Sequence, residues 1–428
     1  MAYDLKMEVG RIELSTLGNL TISPFFKGLP IAAQGETFNS YLASKPNLFK
    51  SGFQFPIAIL KEEALRNNLD RMQSFCKEMS VDIAPHVKTT MAPQIAKMQI
   101  DAGAWGVTVA NFYQAGVFLS FGFERVIIAN EVLDPLAIQK IAQENLNPNL
   151  QIMFFIDSLQ ALHVAEKALE GIPDGKLYLF IEVGAENGRA GLRNVEEILP
   201  ITEAIKKNPR LHLLGVSGFE GIIPVADRSD SGTADLRIFC RKMVEAGKII
   251  SEQLGRPDII LTAGGSAYFD IVIEELRKFG ASGHIIIRSG GYVSHDHGGY
   301  ELSYPFAGEK PGKTFLPAIE LWARVLSHPE PHLAILNLGK RDVGNDIGQP
   351  LPIKQLRATE SKVNPFCGVI DRLNDQHAYL ELAGVKDVDV DDLIGLGISH
   401  PCTTFDKWRL MALVDESYDV VDFIHTFF

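Results

Sequence analysis

From residue 81 onward the chain repeats one pattern: a short apolar run, a closing Gly, Asn or other polar residue, then a helix-like stretch. The runs are VDIAPHVK (81–88), WGVTVAN (105–111), RVIIAN (125–130), QIMFFID (151–157), LYLFIEVG (177–184), LLGVSG (213–218), IILTAGG (259–265) and HIIIRSGG (284–291). Their hydrophobicity is almost unbroken, as in strands buried on both faces. The segments between them, 92–102 and 236–253 among others, have helical periodicity and enough length to serve as crossover helices. Eight strand–helix units in succession predict a parallel (β/α)8 barrel, with a doubly wound sheet as the rival. After about residue 305 the texture changes. FLPAIELWARVLSH, HLAILNLG, AYLELAG, DLIGLGISHPCTT and DVVDFIHTF alternate more, sit between turn residues and lack intervening helices, which predicts an antiparallel β domain. The first fifty residues carry no clear pattern and are expected to pack on that domain. The expected division is therefore 1–50, a barrel over 51–305 and a β domain over 306–428.

Composition narrows the class. With 46% hydrophobic and 22% charged residues, this is an ordinary globular chain. A net charge of −12 argues against a nucleic-acid-binding surface, which needs clustered Lys and Arg. No run of about 18 apolar residues exists to span a bilayer. The N-terminal Met-Ala-Tyr-Asp-Leu-Lys lacks the apolar core of a secretory signal. Cys76, Cys240, Cys367 and Cys402 are too scattered for a disulfide framework. A cytoplasmic enzyme, without nucleic-acid or membrane partners, is the expectation.

In a barrel, chemistry gathers at the C-terminal ends of the strands. Lys88 ends the first run, in Ala-Pro-His-Val-Lys-Thr-Thr. Burial at a barrel mouth would lower its pKa and make the amine nucleophilic; alone, it is more often an exposed lysine. Two Gly-bearing turns follow the seventh and eighth runs, Ala263-Gly264-Gly265-Ser266-Ala267 and Arg288-Ser289-Gly290-Gly291-Tyr292. Such turns offer backbone N–H groups to an anion, although most glycine turns only redirect the chain. A first-strand lysine with a phosphate cup after strands seven and eight is the layout of a barrel holding pyridoxal 5'-phosphate as an imine. Arg189, in the loop after the fifth run, would reach the phenolic oxygen of the pyridine ring or be a plain loop arginine. In His400-Pro401-Cys402, an extended backbone would put residues i and i+2 on one face, about 6.5–7 Å apart at Cα. Imidazole and thiolate could then share a zinc ion; the bland reading is a packed strand with a buried cysteine. His295-Asp296-His297 has the same spacing but lies in a Gly-rich stretch that reads as loop structure or pocket lining.

PHVKT, IANEV (128–132), GVSGFEG (215–221), AGGS, RSGGYVSHDHGGY (288–300), GKRDVGNDIG (339–348) and SHPCTTFDKW (399–408), in this order, resemble the D-serine dehydratase and D-threonine aldolase family. These are fold-type III pyridoxal-phosphate enzymes related to alanine racemase. The resemblance implies a barrel, a C-terminal β domain and a homodimer. It also implies Lys88 as the cofactor lysine and a phosphate site at Gly265, Ser266, Gly290 and Gly291, next to Tyr292. Arg189 matches the arginine near the phenolic oxygen, and Arg288 the alanine racemase arginine at the pyridine nitrogen. His400 and Cys402 match the metal pair of the zinc-dependent dehydratases, where D-threonine aldolases resemble His-x-Asp. Thiolate also suits zinc, although another divalent metal is open. Three positions depart from the family pattern: KTTM replaces KTHK after Lys88, Ala84 replaces an arginine, and Glu182 replaces an aspartate.

The resemblance implies a lyase that eliminates water from D-serine or a related D-3-hydroxyamino acid, giving a 2-oxo acid and ammonia. D-threonine aldolase cleavage uses nearly the same groups. A racemase would need a second base, and a non-enzymatic cofactor carrier would lack both the β domain and the His-x-Cys pair. Glu220, His295, His297 and His377 are left without a role by the sequence.

Overall fold

The computed structural model describes residues 11–310, 312–382 and 388–428. The described chain forms two compact units, one of residues 11–16, 79–86 and 104–289, the other of 17–78, 87–103 and 290–428. Its first strand, β1 (Ile57–Lys61), belongs to the second unit. The next eight build the first: β2 (Asp82–Ile83), β3 (Val107–Val109), β4 (Arg125–Glu131), β5 (Gln151–Ile156), β6 (Leu177–Val183), β7 (Leu211–Gly218), β8 (Ile260–Ala263) and β9 (His284–Ile287).

Each of the eight predicted runs coincides with one of these strands, β4 ending one residue later and β7 beginning two residues earlier than predicted. They pair in parallel in the order β2-β9-β8-β7-β6-β5-β4-β3. The two ends of that order also meet: His86 bridges Thr108 in parallel, and Thr108 donates its N–H to Pro85 O at 2.9 Å and its hydroxyl to Ala84 O at 2.7 Å. A sheet whose edges bond each other is a barrel, so the doubly wound alternative is excluded. The interior is filled by Ala84, Ile127, Met153, Phe155, Phe180 and Ile286, each at most 1% exposed. Burying a large side chain of this kind stabilises the fold by about 1.5–3 kcal/mol. Three of the crossover helices begin where short polar side chains take up free N–H groups. Asn111 caps Phe112–Ser120, Asp134 caps Pro135–Glu144 and Ser158 caps Leu159–Leu169. Ala234–Leu254 buries Leu236, Phe239, Cys240, Met243, Val244, Gly247 and Ile250 on one stripe and stops at Gly255, whose φ of +64° suits glycine.

The second unit contains β10 (Ile319–Glu330), β11 (Leu333–Leu336), β12 (Leu351–Leu356), β13 (Asn364–Pro365), β14 (Val369–Leu373), β15 (Ala378–Glu381), β16 (Leu393–Gly397), β17 (Leu410–Val414) and β18 (Val420–His425). The main path is β13-β12-β16-β10-β1-β17-β18, with β11, β15 and β14 paired off β10. Every pairing is antiparallel except β1 with β17. Its core combines Ile22, Leu29, Phe38, Leu48 and Phe53 from the early chain with Ile57, Trp322, Leu393, Leu410 and Phe423. The pattern after residue 305 pointed to β10, β11, β15, β16 and β18. It passed over β12 and β14, whose half-exposed residues blur alternation, and the five-residue β17. No described helix is long and apolar enough to cross a membrane.

Gly215 lies where the β6–β7 register shifts and faces Ile260 of β8. A Cβ there would stand 1.9 Å from the Ile260 carbonyl oxygen, which is fixed backbone. Gly215→Ala should therefore cost about 2–3 kcal/mol in urea unfolding; a wild-type midpoint would show that the barrel adjusts at this point.

Candidate active site

The barrel unit holds four of the sequence-predicted residues. Gly264 has φ +97°, the left-handed region that favours glycine, and the turn it makes aims two N–H groups at one carboxylate. Gly264 and Gly265 donate to Glu220 at 3.0 and 2.5 Å, and Glu220 is 1% exposed. Half-buried Ser266 follows this turn. Ser289, on the neighbouring strand end, donates its hydroxyl to Gly265 O at 2.7 Å, tying the two turns together. Arg288 is buried; it donates to Thr262 Oγ1 at 2.8 Å and to Gly218 O at 2.7 Å, and stands 5.5 Å from the Phe155 ring centroid. Burial brings its guanidinium down to about 10. Arg189 sits 4.8 Å from the centroid of Phe219. Its loop is held by Asp157, which accepts from Gly191, and by Arg193, which donates to the carbonyls of Arg189, Ala190 and Gly191. Glu131 and Glu182 hydrogen-bond each other, and burial followed by that hydrogen bond pushes Glu131 up to about 8.

The second unit holds the other six. Lys88 is exposed, in the turn that follows His86. Thr89, the next residue, lies with its hydroxyl 3.3 Å from Cys402 Sγ. His400 and Cys402 are not on an extended strand. β16 ends at Gly397, Pro401 has helical backbone angles, and Cys402–Phe405 is a helical turn. The predicted two-residue alternation is thus replaced by a strand-to-helix corner, which still brings the side chains within hydrogen-bonding distance of each other. The bond to Cys402, reinforced by Asp346, raises His400 to about 9. Burial alone would raise the Cys402 thiol, but hydrogen bonds to His400 and Thr89 and the charge of Lys88 lower it. Gly290 and Gly291 open a short 3-10 turn, where Gly291 O accepts from the His295 N–H at 2.8 Å. Tyr292 is 3% exposed and its hydroxyl accepts from Gln99 at 3.1 Å; burial raises its pKa strongly.

The open histidines divide. Asp296 accepts from the N–H groups of Gly298 and Tyr300, shaping the loop. Buried His295 lies 2.8 Å from Glu301, and burial drops His295 and His297 each to about 4. His377 is exposed. The sequence reading missed Asp346 and Thr89, which touch His400 and Cys402. Both lie inside quoted motifs, yet only proximity in space marks them. Among the described residues, no group of three or more His, Cys, Asp or Glu is arranged to hold a metal.

The donors answer the implied groups in part. The Gly264–Gly265 N–H groups are of the kind that suits a phosphate, but both are taken up by Glu220. Imidazole beside a thiol drawn toward thiolate suits zinc, leaving other positions to water or substrate.

Comparison with known proteins agrees. Residues 60–270 match the alanine racemase N-terminal domain, and 318–414 the putative serine dehydratase domain. A 3-hydroxy-D-aspartate aldolase of Paracoccus denitrificans is 24% identical over 71% of this chain and 77% of its own. The crystal structure of a D-threonine aldolase from Filomicrobium marinum has a TM-score of 0.72 at 21% identity, covering 88% of this chain and 95% of that one. A D-threo-3-hydroxyaspartate dehydratase, solved as a cysteine-to-alanine mutant in the metal-free form, has a TM-score of 0.69 at 19% identity, over 87% and 97%. The chain thus carries an alanine racemase N-terminal domain followed by a putative serine dehydratase domain, and the relatives it matches are pyridoxal-phosphate-dependent D-amino-acid lyases.

The Glu131–Glu182 pair has a pH signature. With Glu131 at about 8 when folded and near 4.5 when unfolded, the folded state holds the extra proton between those values. That contribution is fully present below about pH 4.5 and is lost as pH rises through about 8. Glu131→Gln, neutral throughout, should melt close to wild type near pH 5 and above it near pH 9. An equal difference at both values would place the proton elsewhere.

Proposed function

We propose that the protein is a pyridoxal-phosphate- and zinc-dependent lyase that dehydrates D-serine or a related small D-3-hydroxyamino acid to a 2-oxo acid and ammonia. The observation that carries this reading is the closeness of Thr89, the residue after Lys88, to Cys402, which is bonded to His400. A cofactor on Lys88 and a metal on His400 and Cys402 would thus share one neighbourhood of the second unit. Pyridoxal phosphate, when bound, supplies an electron sink for charge developing at Cα. Lys88 would carry the cofactor and, once released by the substrate amine, take the Cα proton from its own side of the ring. A base fixed on one side accounts for D-selectivity. The remaining N–H groups of the two glycine turns would hold the phosphate, and buried Arg288, which donates to Thr262 and Gly218, would face the pyridine nitrogen. His400 and Cys402 would hold a zinc ion that supplies Lewis acidity at the β-hydroxyl, making it a better leaving group.

The His-x-Cys pair favours dehydration over the aldol reading. Support for the second reading comes from the relatives, which include a 3-hydroxy-D-aspartate aldolase and a D-threonine aldolase of Arthrobacter sp. The two reactions break different bonds. Elimination loses the hydroxyl from Cβ, whereas aldol cleavage removes the hydroxyl proton and breaks Cα–Cβ.

Proton NMR of D-serine and D-threonine incubated with the cofactor- and zinc-loaded protein separates them. Pyruvate and 2-oxobutanoate without glycine are expected, and Lys88→Ala should abolish them. Glycine with acetaldehyde from D-threonine would overturn the dehydratase reading in favour of the aldolase.

A further inference from the structure

Residues 342–348 lie in the GKRDVGNDIG stretch, to which no chemistry attaches so far. In the structure this loop is fastened at four points to the corner bearing His400 and Cys402. The Gly344 N–H donates to Thr404 Oγ1 at 3.2 Å. The Thr403 hydroxyl donates to Asp346 Oδ1 at 2.6 Å. The Ser399 hydroxyl donates to Gly348 O at 2.5 Å. His400 Nδ1 lies 2.7 Å from Asp346 Oδ2. The approach requires glycine at the first point: a Cβ on Gly344 would stand 2.2 Å from Thr403 Oγ1. Thr404 returns its own hydroxyl to His400 O at 2.9 Å, so the corner is tied to the loop and to itself.

We propose that Asp346 is the positioning carboxylate for His400, holding Nδ1–H so that Nε2 is the nitrogen offered to a divalent metal, with Thr403 locking the carboxylate. This rests on the metal reading above. A ring with Nδ1–H donated to a carboxylate has one tautomer and one orientation, and its other nitrogen is the more basic for it. Because Asp346 spends one oxygen on Thr403 and the other on His400, it cannot turn away without losing a bond on each side. An ordinary surface ion pair lacks this second anchor and contributes little. The Asp346 side chain is 47% exposed and that of His400 17%, so burial does not explain the pair; the geometry of the corner does. Thr89 plays the matching part on the thiol side.

The test is zinc affinity rather than turnover. Zn2+ would be titrated against a chromophoric chelator into the pyridoxal-phosphate-loaded wild type, Asp346→Ala, Asp346→Asn, Thr403→Val and His400→Ala, with melting temperature and cofactor absorbance followed in each. Asp346→Ala should weaken zinc binding about 10–100-fold with unchanged cofactor absorbance. Asp346→Asn keeps an oxygen acceptor for Nδ1–H and should recover most of that loss. Thr403→Val should weaken binding roughly 2–10-fold, and it carries the test if Asp346→Ala does not fold. Wild-type affinity in both Asp346→Ala and Thr403→Val, with His400→Ala impaired, would overturn the proposal. A loss in Asp346→Ala as large as in His400→Ala would also overturn it, making Asp346 a direct ligand. A wild type that takes up no zinc, or a His400→Ala that binds it equally, would instead remove the metal reading itself.

Discussion

The barrel depends on a strand of two residues. β2 is hydrogen-bonded to β9 on one side, and its extension through Pro85 and His86 meets Thr108 on the other. Were that closure lost, the sheet would have two open edges and no enclosed interior for Phe155, Phe180 and Met153 to fill. Ala84 sits at this seam, 0% exposed, with its carbonyl taken by the Thr108 hydroxyl. A larger charged residue there would have to enter the filled core, which gives a physical reason for the small side chain at that place. The same seam fixes where the chain leaves the barrel. It departs after His86 toward Lys88 and again after Ser289 toward Gly290 and Gly291.

Charge inside each unit is arranged by desolvation and then compensated locally. Arg288 loses water on burial and recovers hydrogen bonds from Thr262 and Gly218. Glu220, also buried, accepts from two backbone N–H groups and lies within the electrostatic reach of Arg288. Glu131 and Glu182 meet each other, and one proton settles between them. In the second unit the balance runs the other way: Cys402 is lowered and His400 raised, because each hydrogen-bonds the other's charged form. A thiol inclined to ionise next to a fixed imidazole is a ready pair of donors for a borderline-soft ion.

The corner at His400–Cys402 brings the two side chains together by a local geometry other than the expected strand. Read as a strand, the segment puts residues i and i+2 on one face. Pro401 instead adopts helical angles, and β16 stops at Gly397. The close approach at the strand's end calls for glycine: a Cβ on Gly397 would fall 2.5 Å from the His297 ring. The segment after β16 then bends, the next four residues take a helical turn, and the side chains meet across the bend rather than along a pleat. The Asp346 loop, over fifty residues earlier in the chain, completes the corner.

What the sequence determined by itself was the set of buried-strand runs, because a strand covered on both faces must be apolar throughout and that shows residue by residue. It also determined the candidate chemistry, since lysine, glycine turns and a His-x-Cys pair are distinctive as letters. Closure of the barrel, the placing of Ile57–Lys61 between β10 and β17, and the engagement of Asp346 with His400 were decided only in the tertiary structure. Each of these joins residues far apart in the chain. Pairing partners, and the second atom of a hydrogen bond, leave no periodic trace in either segment alone.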